Sequence, residues 1–129
     1  MKFGYTIIYV DCVAHSLAFF EKAFRFKTRF IYDTCYAELE TGESTLAFAS
    51  HESGKANLPS GYVSVGSSPL PLGVTVALVT DNVEQAHEHA VKCGATSIEE
   101  PIFKPWGQTV SYLRCPDGTL VELCSPVTE

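Results

Sequence analysis

The chain contains one structural pattern twice, an apolar strand that leads directly into an amphipathic helix. The first copy covers residues 5–24 and the second covers residues 75–94, so the copies start seventy positions apart. In both copies β-branched residues come first, and apolar residues at helical spacing follow. A strand–helix unit of this length cannot cover its own apolar face, so two copies must pack together and leave a cleft between matching strands. We therefore expect the function of the protein to reside in that cleft.

Further strand candidates extend each copy into a module of the order βαβββ. In the first module we predict strand Tyr5–Asp11, helix Val13–Phe24 and strands Phe26–Tyr32, Cys35–Glu40 and Ser44–Ser50. In the second we predict strand Val74–Thr80, a helix that is capped by Asn82 and stops at Cys93 and Gly94, and strands Thr96–Phe103, Gln108–Arg114 and Thr119–Cys124. The sequence thus predicts an α+β fold, a single domain over 1–129 made of modules 1–50 and 72–129.

The connection between the modules, residues 51–71, is rich in Ser, Gly and Pro. These residues interrupt any helical or strand period, so we predict a loop without regular structure. A loop of about this length is unusual in a compact domain and often functional, as a lid or as an arm onto a partner subunit. A flexible linker is the alternative, and the sequence does not decide between them.

The composition fits one globular domain that has neither nucleic acid nor a membrane as its partner. The 129 residues are 46% hydrophobic, and 15 acidic against 9 basic residues give a net charge of -6 without a basic cluster. No segment approaches the roughly 18 consecutive apolar residues of a membrane span. The start of the chain lacks the features of a secretory signal, so we expect a cytoplasmic protein. The five cysteines show no CxxC spacing and are expected to be reduced packing residues.

Motifs in the second module carry a resemblance to a known family. They are Trp-Gly-Gln-Thr-Val-Ser-Tyr-Leu-Arg at 106–114, Pro-Asp-Gly-Thr-Leu-Val-Glu-Leu at 116–123 and Val-Thr-Asp-Asn-Val-Glu-Gln-Ala at 79–86. With the duplicated βαβββ order, the chain resembles the glyoxalase/bleomycin resistance protein/dioxygenase group, the vicinal oxygen chelate superfamily, over nearly its whole length. The resemblance implies paired modules whose sheets curl into a half-barrel. It also implies a homodimer with one pocket per subunit.

The resemblance also implies where a metal would bind, because metal-dependent members place two ligands on each module, one on its first strand and one on its last. In this sequence those positions are Tyr5, Ala47 (or Phe48 after a one-residue slip), Thr75 and Glu122. Only Glu122 is a ligand of the family's type, and one carboxylate cannot replace the water shell of a divalent ion. We therefore predict no metal and no cofactor. The four histidines, His15, His51, His87 and His89, are expected at the surface.

Strand alternation places Glu122 on a wall of tyrosine, aliphatic and small side chains. Such a wall with one polar anchor suits a small aromatic or heterocyclic molecule. Glu122 is either an anchor or catalyst, or a relic that is hydrogen-bonded to Tyr5 or Thr75. Trp106 is placed to close the pocket mouth, although a single Trp is more often a core or interface residue, and the same ambiguity applies to Tyr112.

Three functions remain open at this stage. The leading hypothesis is a metal-independent protein that binds a small organic molecule at Tyr5, Thr75, Trp106, Tyr112, Glu122, Ala47 and Phe48. The second is an enzyme, a lyase, isomerase or dioxygenase-like protein, in which Glu122 accepts or donates a proton. The third is a dimeric scaffold whose cleft is filled by side chains and whose 51–71 loop serves as an interaction arm.

Overall fold

The computed structural model describes residues 1–127, which divide into two compact units with the boundary between Ser68 and Pro69. The first unit contains β1 (Tyr5–Val10), α1 (Val13–Phe24), β2 (Lys27–Tyr32), β3 (Tyr36–Glu40), β4 (Thr45–Ser50) and α2 (His51–Asn57). The second contains β5 (Thr75–Val79), α3 (Val83–Lys92), β6 (Thr96–Phe103), β7 (Thr109–Arg114) and β8 (Leu120–Cys124). The βαβββ order of both modules and the α+β class are confirmed.

Each unit builds one four-stranded mixed sheet, and the two sheets share one topology. The strand orders are β1-β4-β3-β2 and β5-β8-β7-β6. In both sheets the first strand runs parallel to the last strand, and the other neighbours are antiparallel. The first and last strands of each module therefore lie side by side, although residues 11–44 separate them in the first module and residues 80–119 in the second.

The core of the first unit lies between α1 and one face of its sheet. Leu17 and Phe20 lie on the buried stripe of α1, and the Phe20 ring packs 5.0 Å from that of Phe48 on β4. Alternate residues of β1 point to the other face, where Tyr5 is 55% exposed. The face opposite α1 thus exposes Tyr5 and Ile7 on β1.

The second unit repeats this arrangement around α3. Asn82 caps the helix as predicted, because its side chain accepts a hydrogen bond from the Gln85 N–H at 3.0 Å. His87 lies on the buried stripe between Val83 and Ala90 and is only 3% exposed, with Nε2 2.8 Å from Ser97 Oγ. The prediction of a surface position is therefore wrong for His87. Among residues 1–127, the structure shows no helix of a length and hydropathy that could cross a membrane.

The prediction that 51–71 lacks regular structure is also wrong for its first third, which forms α2. The Ser50 hydroxyl caps this helix by accepting from the Ser53 N–H at 3.2 Å. Beyond the helix, the Tyr62 ring packs 5.1 Å from the Tyr9 ring of β1, and Asn57 donates to the Tyr9 hydroxyl at 3.3 Å. The start of the connection is thus an ordered part of the first unit.

Helix α1 ends at Phe24, and Arg25 forms its C-terminal cap. Arg25 adopts the left-handed conformation, with φ 62° and ψ 27°. A residue with a Cβ is strained there by roughly 1–2 kcal/mol, and glycine relieves that strain at some entropic cost. We expect Arg25→Gly to raise the free energy of unfolding by about 1 kcal/mol. Urea denaturation followed by circular dichroism would measure this change, and Arg25→Ala, which keeps the strain, should show no gain; an equal gain in both variants would contradict the explanation.

Candidate functional site

In the second unit, Glu122 and Tyr112 form a hydrogen-bonded pair on the sheet face opposite α3. Glu122 on β8 is the register partner of Tyr112 on β7 and of Ala77 on β5. The Tyr112 hydroxyl donates to Glu122 Oε1 at 2.6 Å. This hydrogen bond, partial burial and the nearby negative charge raise the pKa of Tyr112, so its hydroxyl stays protonated at neutral pH.

The other polar neighbours of Glu122 differ from those expected. Thr75 directs its hydroxyl to the backbone oxygen of Leu120 at 3.5 Å, so the hydroxyl that bonds Glu122 comes from Tyr112 and not from Thr75. Cys124, two residues along β8, is buried, and desolvation followed by the charge of Glu122 raises its pKa. Its thiol is therefore neutral and unreactive at physiological pH.

Trp106 lies in the turn between β6 and β7 and is 63% exposed. Its Nε1–H donates to Gln108 Oε1 at 2.9 Å, and the Lys104 ammonium lies 6.0 Å from the ring centroid. The side chain is therefore not a core residue of the second unit. Its exposed ring remains available to a ligand or a partner.

The first unit has no counterpart of Glu122 at the equivalent position. The pairing of Ile7 with Ala47 matches that of Ala77 with Glu122, so Ala47 occupies the position of the carboxylate. Ala47 is fully buried and offers no donor atom. The one-residue slip to Phe48 does not occur, since this side chain is fully buried against α1 and is not accessible to a ligand.

Beside Ala47 lies a network of polar side chains that the sequence analysis did not predict. Glu38 on β3, the register partner of Ala47, accepts hydrogen bonds from Arg29 Nη2 at 2.9 Å and from the Tyr36 hydroxyl at 2.7 Å. These bonds hold the pKa of Glu38 below its usual range, so it is a carboxylate at neutral pH. Arg29 Nη2 also donates to Thr45 Oγ1 at 2.8 Å. The unit therefore carries a fixed ion pair beside Ala47, the position where the resemblance implies a metal ligand.

The donor set does not fit the divalent metal that the family resemblance implies. Ala47 has no ligating atom, and Glu38 already forms an ion pair with Arg29, whose positive charge disfavours a second cation. Within residues 1–127, no three or more His, Cys, Asp or Glu side chains are placed to hold a metal ion. We derive no chemistry through a metal.

A groove of about 710 Å³ lies within the first unit, where β1 and β4 lead into α1 and α2. His51 lines this groove, with Nδ1 2.6 Å from the Tyr62 hydroxyl and Nε2 3.2 Å from Asp11 Oδ1. Both ring nitrogens are thus engaged, which ties the ordered connection to the end of β1. Asp11 lies just before α1, and Glu52 lies in the first turn of α2. Carboxylates at such positions stabilise helix N-termini. These contacts stabilise the first unit, and they do not by themselves indicate a ligand site in the groove.

Comparisons with known proteins agree with this fold. The sequence model of the Glyoxalase/Bleomycin resistance protein/Dioxygenase superfamily matches residues 2–123. Among solved structures, the chain is similar to a glyoxalase/bleomycin resistance protein/dioxygenase family enzyme from Burkholderia phytofirmans PsJN, with 20% identity over 99% of this chain and 100% of that chain and a TM-score of 0.84. It is also similar to a glyoxalase-related enzyme from Fulvimarina pelagi, with 16% identity, coverage of 98% and 88%, and a TM-score of 0.82.

A third similar structure, from Sphaerobacter thermophilus DSM 20745, is described as a member of the same superfamily, with 20% identity, coverage of 98% of both chains and a TM-score of 0.68. No curated protein sequence matches the chain. At these identities the structures show the fold, while the sequence model covers almost the whole chain. The chain belongs to the glyoxalase/bleomycin resistance protein/dioxygenase superfamily.

Proposed function

We propose that this protein is a metal-independent member of its superfamily that binds a small aromatic or heterocyclic molecule, with Glu122 as the polar anchor. The observation that carries the proposal is the Tyr112–Glu122 hydrogen bond of 2.6 Å on the sheet face opposite α3. It fixes the carboxylate in one orientation before any ligand arrives. Preorganisation of this kind reduces the ordering cost of binding.

The chemistry of the anchor indicates which ligand group it would hold. An ionised carboxylate only accepts hydrogen bonds and has about four sites for them, of which Tyr112 uses one. The ligand should therefore present an N–H or O–H donor. Thr75, Ala77 and Val79 on β5 are exposed on the same face and offer small or apolar contacts to the remainder of a planar molecule.

Matched pairs of heterocycles test this proposal. We expect benzimidazole to bind at least about 10-fold more tightly than N-methylbenzimidazole, because only the former donates an N–H to Glu122. Ligand-observed NMR titration would measure both affinities. In Glu122→Gln the preference should disappear, whereas Glu84→Gln, which removes an exposed carboxylate from α3, should retain it.

Two results would overturn the proposal. One is a stoichiometric, tightly held divalent ion in the purified protein, measured by elemental analysis. The other is equal binding of the two heterocycles, or a preference for benzimidazole that survives in Glu122→Gln.

The Tyr112–Glu122 pair also favours the second candidate, an enzyme that moves a proton. A carboxylate that is fixed by a short O–H···O hydrogen bond is positioned to exchange a proton with a bound substrate. The enzyme hypothesis requires turnover that is lost in Glu122→Gln. A pure binder instead gives saturable binding without product, so a substrate screen with product analysis separates the two functions.

A further inference from the structure

A β-bulge in β2 places Arg29 outside the regular strand alternation. Thr28 pairs with Leu39 and Phe30 pairs with Glu38, so Arg29 is the extra residue between them. Bulges redirect side chains and are frequent beside functional sites. Here the guanidinium reaches Glu38 and Thr45 on the sheet face opposite α1.

The guanidinium is held in one position by three hydrogen bonds. Nε and Nη2 donate to Glu38 Oε1 at 3.2 and 2.9 Å, and Nη2 also donates to Thr45 Oγ1 at 2.8 Å. Glu38 is itself fixed by the Tyr36 hydroxyl at 2.7 Å. A long and flexible side chain has thereby lost its freedom before any ligand binds, so less entropy is lost on binding.

The two N–H groups of the remaining guanidinium nitrogen, Nη1, can donate hydrogen bonds to a ligand. The carboxylate beside it is Glu40, whose Oε2 lies 3.9 Å away, which is beyond hydrogen-bond distance. The hydrogen bonds that Arg29 makes within residues 1–127 come from Nε and Nη2. The side chain of Arg29 is 37% exposed, so an oxyanion can reach these two N–H groups.

The charges and rings around Arg29 fit an aromatic anion. Glu38 and Glu40 are balanced by Arg29 and by Lys27, the register partner of Glu40, so an incoming carboxylate meets no net negative charge. Phe30 is 48% exposed, and Tyr5 lies close enough to interact electrostatically with the guanidinium. Both rings offer flat apolar surface beside the cation.

We propose a second binding site, within the first unit, in which Arg29 Nη1 holds the carboxylate of a planar aromatic acid whose ring packs against Tyr5 or Phe30. The site goes beyond the proposed function, because it shares no residue with the Glu122 anchor. It also takes a ligand of opposite polarity, since Arg29 donates hydrogen bonds whereas Glu122 accepts them.

The test compares 2-naphthoate with 2-naphthamide, which have the same ring and differ in charge. We expect the wild-type protein to bind the acid at least about 10-fold more tightly than the amide in ligand-observed NMR titrations. Arg29→Met should abolish this preference. Lys55→Met, which removes the same charge from the exposed side of α2, should retain it. Arg29→Lys should reduce the preference, because an ammonium lacks the fork that Glu38 and Thr45 hold in place.

The outcomes separate this site from the Glu122 site. Equal affinities for acid and amide, absence of 2-naphthoate binding, or equal loss in Lys55→Met and Arg29→Met would each overturn the inference. If Arg29→Met fails to fold by circular dichroism, the Arg29→Lys variant carries the comparison. Binding of benzimidazole should be unchanged in either Arg29 variant, so the proposed function can stand when this inference fails.

Discussion

Phe20→Ala is expected to lower the free energy of unfolding by about 4 kcal/mol, the largest effect of any substitution considered for this protein. Phe20 is fully buried, and its ring packs 5.0 Å from Phe48 and 5.1 Å from Phe24. Truncation removes the apolar contacts and leaves a cavity between α1 and the sheet that the surrounding side chains can only partly fill. Urea denaturation followed by far-ultraviolet circular dichroism would measure the change.

Two variants serve as controls for Phe20→Ala. Phe20→Leu keeps most of the buried volume and should cost about 1–2 kcal/mol. Phe103→Ala removes a ring that is 70% exposed on β6 and should change stability by less than about 0.5 kcal/mol. If Phe20→Ala and Phe103→Ala had similar effects, α1 would not pack on the sheet as described.

The elements that the sequence predicted correctly are those whose burial follows a simple period. Leu17 and Phe20 repeat at helical spacing and are both buried on α1. The alternation of β4 places Phe48 towards α1 and Ala47 on the other face, and the strand pairing fixes the family position on Ala47. The same helical spacing predicts that His87 is buried, because it lies four residues after Val83 on the buried stripe of α3. The expectation of a surface position for all four histidines took no account of this stripe.

Helix α2 could not be predicted because its sequence has no apolar stripe. His51–Asn57 contains Gly54, whose low helix propensity argues against a helix. The helix depends on the Ser50 cap and on contacts with Tyr62, which lies outside it in sequence. Long-range contacts of this kind leave no local pattern.

The hydrogen bonds of the candidate site could not be predicted from the sequence. Glu122 and Tyr112 were both chosen, but a motif cannot show that register places them opposite each other and leaves Thr75 bonded to the backbone. Arg29 was missed because alternation cannot locate a bulge. A one-residue irregularity in β2 therefore decides where the positive charge lies.

The two modules keep one backbone topology and differ in their polar side chains. At the carboxylate position the second unit has Glu122 and the first has Ala47, while across the strand pair the second has Tyr112 and the first has Glu38. In this strand pair the carboxylate therefore lies on the last strand in the second unit and on the neighbouring strand in the first. Glu38 forms an ion pair with Arg29, whereas Glu122 accepts a hydrogen bond from the Tyr112 hydroxyl, so the two carboxylates differ in their partners.

Gly54→Val is expected to lower the free energy of unfolding by about 2 kcal/mol, because it displaces Tyr62. A Cβ at residue 54 would lie 2.8 Å from Tyr62 Cζ and 2.9 Å from Cε1, closer than side chains pack. The ring must then leave its place, which breaks its 2.6 Å hydrogen bond to His51 and its contact with Tyr9. Helix propensity acts in the opposite direction, since valine is slightly better than glycine in a helix. Urea denaturation measures the net effect.

A double-mutant cycle with Tyr62→Ala separates these two contributions. Once the ring is gone, Gly54→Val meets no obstacle, so in the Tyr62→Ala background we expect it to be neutral or to stabilise the protein by a few tenths of a kcal/mol. The coupling energy between positions 54 and 62 should therefore be about 2 kcal/mol. A coupling energy near zero would mean that Tyr62 does not pack on α2, and that residues 58–68 are as loosely held as the composition of the connection first indicated.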